Sequence, residues 1–138
     1  MFAAMPLLAL PVLFYNAFAL LAGGGLRSAT TGERFSAQIM NIPMASHGQW
    51  SVTLSDLFLA GSLVVLFVEL LKSTTSRQAA IINHSLSMVL FIGCLVEFLL
   101  LPALATSTFF LLTLMVLLDV LAGFIVTIVA SRREIDVR

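Results

Sequence analysis

Residues 108–130 read TFFLLTLMVLLDVLAGFIVTIVA, and this stretch decides the fold. Asp119 is the only charged residue in it. A helix needs about 20 mainly apolar residues to cross the hydrocarbon core of a bilayer. The stretch does not alternate apolar and polar residues as a membrane β-strand does. It therefore predicts a transmembrane helix, because a helix satisfies its own backbone hydrogen bonds in hydrocarbon.

The same character recurs along the chain and predicts further transmembrane helices over residues 2–22, 54–71 and 81–101. Of the 138 residues 60% are hydrophobic and 10% charged, with 7 Lys+Arg balanced by 7 Asp+Glu. Soluble domains carry about 25% charged residues. This composition excludes a soluble globular protein, a disordered chain and a nucleic-acid-binding protein, which needs a basic face. We predict one all-α domain, a bundle of four transmembrane helices.

The first predicted helix has one competing interpretation. Ala17-Phe18-Ala19 resembles the cleavage site of a signal peptide, but no Lys or Arg precedes Arg27. Because a signal peptide begins with a basic region, we expect a retained helix instead. Pro11 is expected to kink this helix, since proline removes a backbone donor.

The basic residues predict the orientation of the helices, because cytoplasmic loops of membrane proteins are enriched in Lys and Arg. Only Arg27 and Arg34 lie between the first two helices. Five others fall on the opposite side of the predicted bundle: Lys72, Arg77, Arg132, Arg133 and Arg138. We therefore expect an up-down bundle with both termini in the cytoplasm.

Residues 23–53 form a long predicted outer loop. Phe35, Ile39 and Ile42 recur at the spacing of one helical face, which favours a short helix in the outer headgroup layer. A loop with a few apolar anchors explains them equally well. Trp50, just before the second helix, is predicted to be an anchor at the membrane interface.

Two of the four acidic residues in the predicted spans have ordinary structural explanations. Thr53 and Asp56 have the spacing of a capping box at the start of the second helix. Glu69 precedes Lys72 by three residues, which predicts an ion pair at the membrane surface. A contact between Glu69 and His84 is the functional alternative, because both residues are predicted at similar depth.

Glu97 and Asp119 are harder to explain. Glu97 ends a mostly small or polar stripe along the third helix, which should face protein: Asn83, Ser87, Leu90, Cys94 and Glu97. Asp119 lies at the centre of the fourth helix, so it must accept a hydrogen bond or keep its proton. Its expected partners are Asn16, Ser62, Cys94 and Glu97. These carboxyls serve either as interhelical hydrogen-bonding groups or as an ion path. Gly61 is expected at a tight helix contact.

No pattern for catalysis or for cofactor or metal binding is found in the sequence. The single cysteine, Cys94, excludes an intrachain disulfide. His47 and His84 are predicted on opposite sides of the membrane and therefore cannot share a metal or haem. Nucleophile-elbow, zinc-protease and nucleotide-binding motifs are absent. We accordingly predict neither enzymatic activity nor a cofactor.

The second half of the chain resembles a type of small four-helix inner-membrane protein of alphaproteobacteria that carries no assigned activity. The resemblance covers residues 66–74 (LFVELLKST), 83–98 (NHSLSMVLFIGCLVEF) and 109–133 (FFLLTLMVLLDVLAGFIVTIVASRR). It implies a multi-pass protein of the bacterial inner membrane and supplies no catalytic residue.

Two functions from different classes fit this sequence. The first is a structural or accessory membrane protein, a homo-oligomer or a subunit of a larger complex, held by helix packing. The second is an oligomeric proton- or cation-conducting protein, in which Glu97, Asp119, Glu69 and His84 would line the path. A lipid- or quinone-binding module that uses the outer loop and Trp50 is a third hypothesis.

Overall fold

The computed structural model describes residues 5–72 and 77–137 of the chain. It is mostly helical, with α1 over Ala9–Leu21, α2 over Thr30–Phe35, α3 over Leu54–Lys72, α4 over Arg77–Leu100 and α5 over Ser107–Asp136. Strands β1 (Gln38–Pro43) and β2 (Gln49–Thr53) form one antiparallel hairpin between α2 and α3. The fold is therefore a helical bundle with a small sheet at one end.

Three segments are long and apolar enough to cross a membrane: Leu54–Lys72, Ile81–Leu100 and Ser107–Arg133. They correspond to the last three predicted spans. The first apolar helix, α1, has 13 residues and is shorter than the predicted span 2–22. Residues 2–4 of that prediction, and Arg138 from the orientation argument, lie outside the described residues.

Pro11 does not lie in the interior of α1, where the expected kink would form. The helix begins at Ala9, which places Pro11 in the first turn, where a missing backbone donor costs little. Pro6 lies just before the helix, and its carbonyl accepts from the Ala9 N–H at 3.1 Å. The two prolines therefore set where α1 starts.

Helix α5 is the centre of the bundle and packs mainly against α4 and α3. Its buried apolar side chains recur every three or four residues, which is the period of one helical face: Phe109, Leu112, Val116 and Val120. Thr106 caps the helix, because its Oγ1 accepts from the Phe109 N–H at 3.2 Å. The same oxygen lies 2.5 Å from the Tyr15 hydroxyl, which joins α1 to the start of α5.

The segment between α1 and α3 differs from both sequence interpretations. Phe35 ends α2 and is fully buried, with its ring stacked on Tyr15 at a centroid distance of 4.5 Å. Ile39 and Ile42 lie in β1, not on a helical face with Phe35. The proposed helix over these residues is therefore wrong, because pairing of β1 with β2 satisfies their backbone groups instead.

Gly61 is also placed differently from the prediction of a tight contact. It is exposed on α3, and a Cβ added there would meet no atom within 4 Å. The buried seam of α3 runs through the neighbouring Ser62, Leu66 and Glu69. Ser62 donates its hydroxyl hydrogen to the Phe58 carbonyl of its own helix at 2.8 Å, so it makes no interhelical hydrogen bond.

Candidate functional site: a buried polar cluster

The structure brings four polar residues together where α3, α4 and α5 meet. We call Glu69, Asn83, Ser87 and Asp119 the polar cluster. All four are buried. Asn83 and Ser87 are four residues apart and therefore lie on one face of α4, a single turn from each other. The cluster exists because α4 presents these two donors to acids on two different neighbouring helices.

Glu69 is fully buried in α3 and has three partners among the described residues. Its carboxylate accepts a short hydrogen bond from Asn83 Nδ2 on α4. It also accepts from the Leu7 N–H, just before α1, at 2.6 Å, and its Oε1 lies 3.3 Å from Lys72 Nζ. Since every partner is a donor, Glu69 holds together α3, α4 and the chain entering α1.

Asp119 is 5% exposed and accepts a hydrogen bond from Ser87 Oγ at 2.6 Å. None of its four expected partners makes this contact. The expected partners assume that the third predicted helix begins at residue 81. Because α4 begins at Arg77, the centre of that helix lies closer to Ser87. Ser87 belongs to the predicted stripe on α4, so the stripe could have identified Ser87 as a partner of Asp119.

Glu97 lies apart from the polar cluster. It accepts from Asn16 Nδ2 of α1 at 3.0 Å. Ten residues separate it from Ser87, or about 15 Å along α4. The prediction that its stripe faces protein is confirmed, because Asn83, Ser87 and Cys94 are buried and Leu90 and Glu97 are half-buried. Glu69 and Asp119 therefore belong to one cluster and Glu97 to a separate pair with Asn16. These three acids do not form a single line.

His84 does not contact Glu69 by a hydrogen bond, contrary to the functional alternative. Consecutive residues of a helix point about 100° apart, so only Asn83 faces Glu69. The His84 ring instead packs edge-on against Phe124 of α5, with centroids 4.5 Å apart. It lies directly over Gly123, where an added Cβ would come within 2.2 Å of its Nδ1. Gly123 thus allows α4 and α5 to approach with His84 between them.

Three buried atoms beside the cluster have no hydrogen-bond partner among the described residues. They are the two ring nitrogens of His84 and Asn83 Oδ1. No group of three or more metal-ligating side chains occurs within residues 5–72 and 77–137. The arrangement can hold helices together and can bind or pass protons.

The remaining predicted positions lie at the hairpin end of the bundle, away from the cluster. The Asp56 N–H donates to Thr53 Oγ1 at 3.2 Å, and the Thr53 N–H donates to Asp56 Oδ2 at 2.8 Å. This is the reciprocal geometry of a capping box at the start of α3. Trp50 is half exposed on β2, four residues before α3.

Two hydrogen bonds, one of Glu69 and one of Glu97, were not predicted from the sequence. The Leu7 N–H that binds Glu69 is a backbone group and carries no side-chain signature. Asn16 was considered only as a partner of Asp119, whereas it binds Glu97. Both errors concern how deep α1 lies beside the other helices.

No known protein family, curated protein or solved structure matches the chain.

Proposed function

We propose that this chain is a multi-pass protein of the bacterial inner membrane that acts as a structural or accessory subunit. In this proposal α1, α3, α4 and α5 are its four spans, and both termini lie in the cytoplasm. It works through helix packing, within a homo-oligomer or a larger membrane complex, and catalyses no reaction.

One observation carries the proposal: Glu69, Asp119 and Glu97 each accept a hydrogen bond from a side chain on another helix of the same chain. Asn83, Ser87 and Asn16 are these donors. Hydrogen bonds of this kind join helices in hydrocarbon, where apolar side chains alone give little preference between protein and lipid. These hydrogen bonds explain the three acids as groups that join helices inside the bundle. A transported ion is not needed to explain them.

The outward faces of α3 and α4 support the second half of the proposal. Only 17% of the apolar window of each helix is buried within the chain. Gly61 and Gly93 lie on these faces, and a Cβ added to either would meet no atom within 4 Å. Small residues on an exposed face let a second helix approach closely. Another copy or a partner subunit would therefore find two suitable contact positions.

Purification from native membranes in mild detergent tests this function. We expect the tagged chain to elute with a stoichiometric membrane partner or as a defined oligomer. Replacing Gly61 and Gly93 by leucine should abolish that association and leave the monomer folded, because a Cβ added at either site meets no atom within 4 Å. Gly48→Leu, in the hairpin turn, is the matched control. Recovery of a monodisperse monomer from unmodified membranes would contradict the proposal.

A second candidate function is proton or cation conduction, and the spacing of two acids favours it. Glu69 and Asp119 bind successive turns of α4, through Asn83 and Ser87. Asn83 Oδ1 and His84 Nδ1, which lack partners among the described residues, lie beside them. Asn83 and Ser87 are four residues apart, or about 6 Å along α4, so a proton passing between Asp119 and Glu69 would cross about one helical turn.

Two substitutions of Asp119 separate the two functions. Asparagine keeps an acceptor for Ser87 but cannot carry a proton, whereas leucine removes the acceptor as well. If the carboxylate is a crosslink, Asp119→Asn should be close to wild type in stability, and Asp119→Leu should lose about 1 kcal/mol of unfolding free energy. Proton flux into proteoliposomes, measured with an internal pH dye, should be absent throughout. Wild-type flux that Asp119→Asn abolishes would establish conduction instead.

A further inference from the structure

The hairpin between α2 and α3 has two chemically different faces. Met40 lies opposite Val52, and Ile42 lies opposite Trp50. Residues directly opposite each other in an antiparallel pair project to the same side of the sheet. These four residues therefore form one apolar face. On the other side Ser51 lies opposite Asn41 and its hydroxyl donates to Asn41 Oδ1 at 2.9 Å, while Gln49 lies opposite Pro43.

The apolar face is uncovered within the described chain. Met40 is 49% exposed, Ile42 37% and Trp50 50%. Val52, close to α3, is the one member that is buried. A two-stranded hairpin is marginally stable in water unless its apolar face packs against something. Residues 5–72 and 77–137 do not supply that contact for the outer part of the hairpin.

The position and charge of the hairpin indicate what covers it. No Asp, Glu, Lys or Arg occurs between Arg34 and Asp56. The Leu54 N–H donates to the Ala37 carbonyl at 3.3 Å, so the start of β1 and the end of β2 both lie beside the first turn of α3. Because α3 is an apolar segment of spanning length, the base of the hairpin would lie where hydrocarbon begins if α3 crosses the bilayer.

We propose that the hairpin lies flat in the outer headgroup layer of the bilayer, with its apolar face toward the acyl chains. This inference rests on the membrane placement proposed above. Trp50 lies four residue steps before Leu54, the first residue of α3, or about 13 Å away if the hairpin stood upright. The headgroup layer on each side is only about 5–7 Å thick. Trp50 therefore reaches the acyl boundary only when the hairpin lies along the surface.

Trp50 is the only tryptophan of the chain, so its fluorescence reports on this face directly. The test uses full-length protein in phosphatidylcholine–phosphatidylglycerol vesicles with a nitroxide quencher near the headgroup or near the acyl-chain end. We expect the shallow quencher to reduce Trp50 emission at least twofold more than the deep one. In the matched control, Trp50→Phe with Gln49→Trp, the indole moves to the polar face and should be much less quenched.

A second reporter separates failure of this inference from failure of the proposed function. Ile125→Trp in the Trp50→Phe background places the indole on an exposed face of α5, inside the apolar segment. If the deep quencher reaches Trp at 125 but neither quencher reaches Trp50, the hairpin inference is wrong and the membrane placement holds. If neither position is quenched, the membrane placement itself is wrong. Trp50 shielded from iodide in native membranes but not in lipid vesicles would identify a protein, not lipid, as the covering partner.

Discussion

Replacing Glu69 by alanine should lower the free energy of unfolding by about 3 kcal/mol. Glu69 is fully buried and accepts from Asn83 Nδ2 and from the Leu7 N–H, with Lys72 Nζ also within ion-pair distance. Alanine leaves the two hydrogen-bond donors and the ammonium group without this acceptor. Single interhelical hydrogen bonds in membranes contribute about 0.6 kcal/mol on average, but here several are lost together.

Denaturant titration in dodecyl maltoside, followed by circular dichroism, measures this loss. Glu33→Ala is the matched control, because Glu33 is exposed on α2 and should change stability little. Glu69→Gln should fall between the two: its carbonyl still accepts from Asn83, but its amide presents hydrogens to the remaining donors. Equal stability of Glu69→Ala and Glu33→Ala would show that the carboxylate does not hold the helices together.

Gly123→Val should lower the free energy of unfolding by about 2 kcal/mol. The new Cβ would lie 2.2 Å from His84 Nδ1 and 2.8 Å from its Cγ. The imidazole also packs edge-on against Phe124, with ring centroids 4.5 Å apart, which limits the space into which it can move. We expect α4 and α5 to be forced apart near the polar cluster, so that the Ser87–Asp119 hydrogen bond lengthens as well.

Ala17→Val is the control for this substitution, because Ala17 is exposed on α1 and lies outside the faces of α3 and α4 proposed for association. It should leave the unfolding free energy within about 0.5 kcal/mol of wild type. Adding His84→Ala to Gly123→Val should restore much of the lost stability by removing the colliding ring. Simple additivity of the two single effects in this double-mutant cycle would contradict a direct clash.

Local features of the chain were predictable because each depends on neighbours in sequence. The apolar run over residues 108–130 identifies α5, and the polar stripe on α4 identifies its buried face. Thr53 and Asp56 are three residues apart, and their pairing needs only the first turn of α3. In each case the periodicity of one helix contains the necessary information.

Contacts that depend on the relative depth of two helices could not be predicted in the same way. Asp119 pairs with Ser87 because α4 begins earlier than its hydrophobicity suggests. Glu69 binds the Leu7 N–H, which depends on where α1 starts. The hairpin was not predicted, for a different reason. Ile39 and Ile42 are three residues apart, a spacing that also occurs by chance in strands.

The unequal lengths of the apolar helices have a consequence for the surrounding lipid. The apolar segment Ser107–Arg133 of α5 has 27 residues, whereas α1 has 13 residues. These lengths correspond to about 40 Å and 20 Å of helix, against a hydrocarbon thickness of about 30 Å. In the proposed topology the protein therefore combines helices of opposite hydrophobic mismatch. Beside α1 the bilayer must thin, while α5 must tilt by about 40° or thicken the lipid next to it. Where α1 faces lipid, the thinned bilayer would favour neighbouring proteins with short apolar belts.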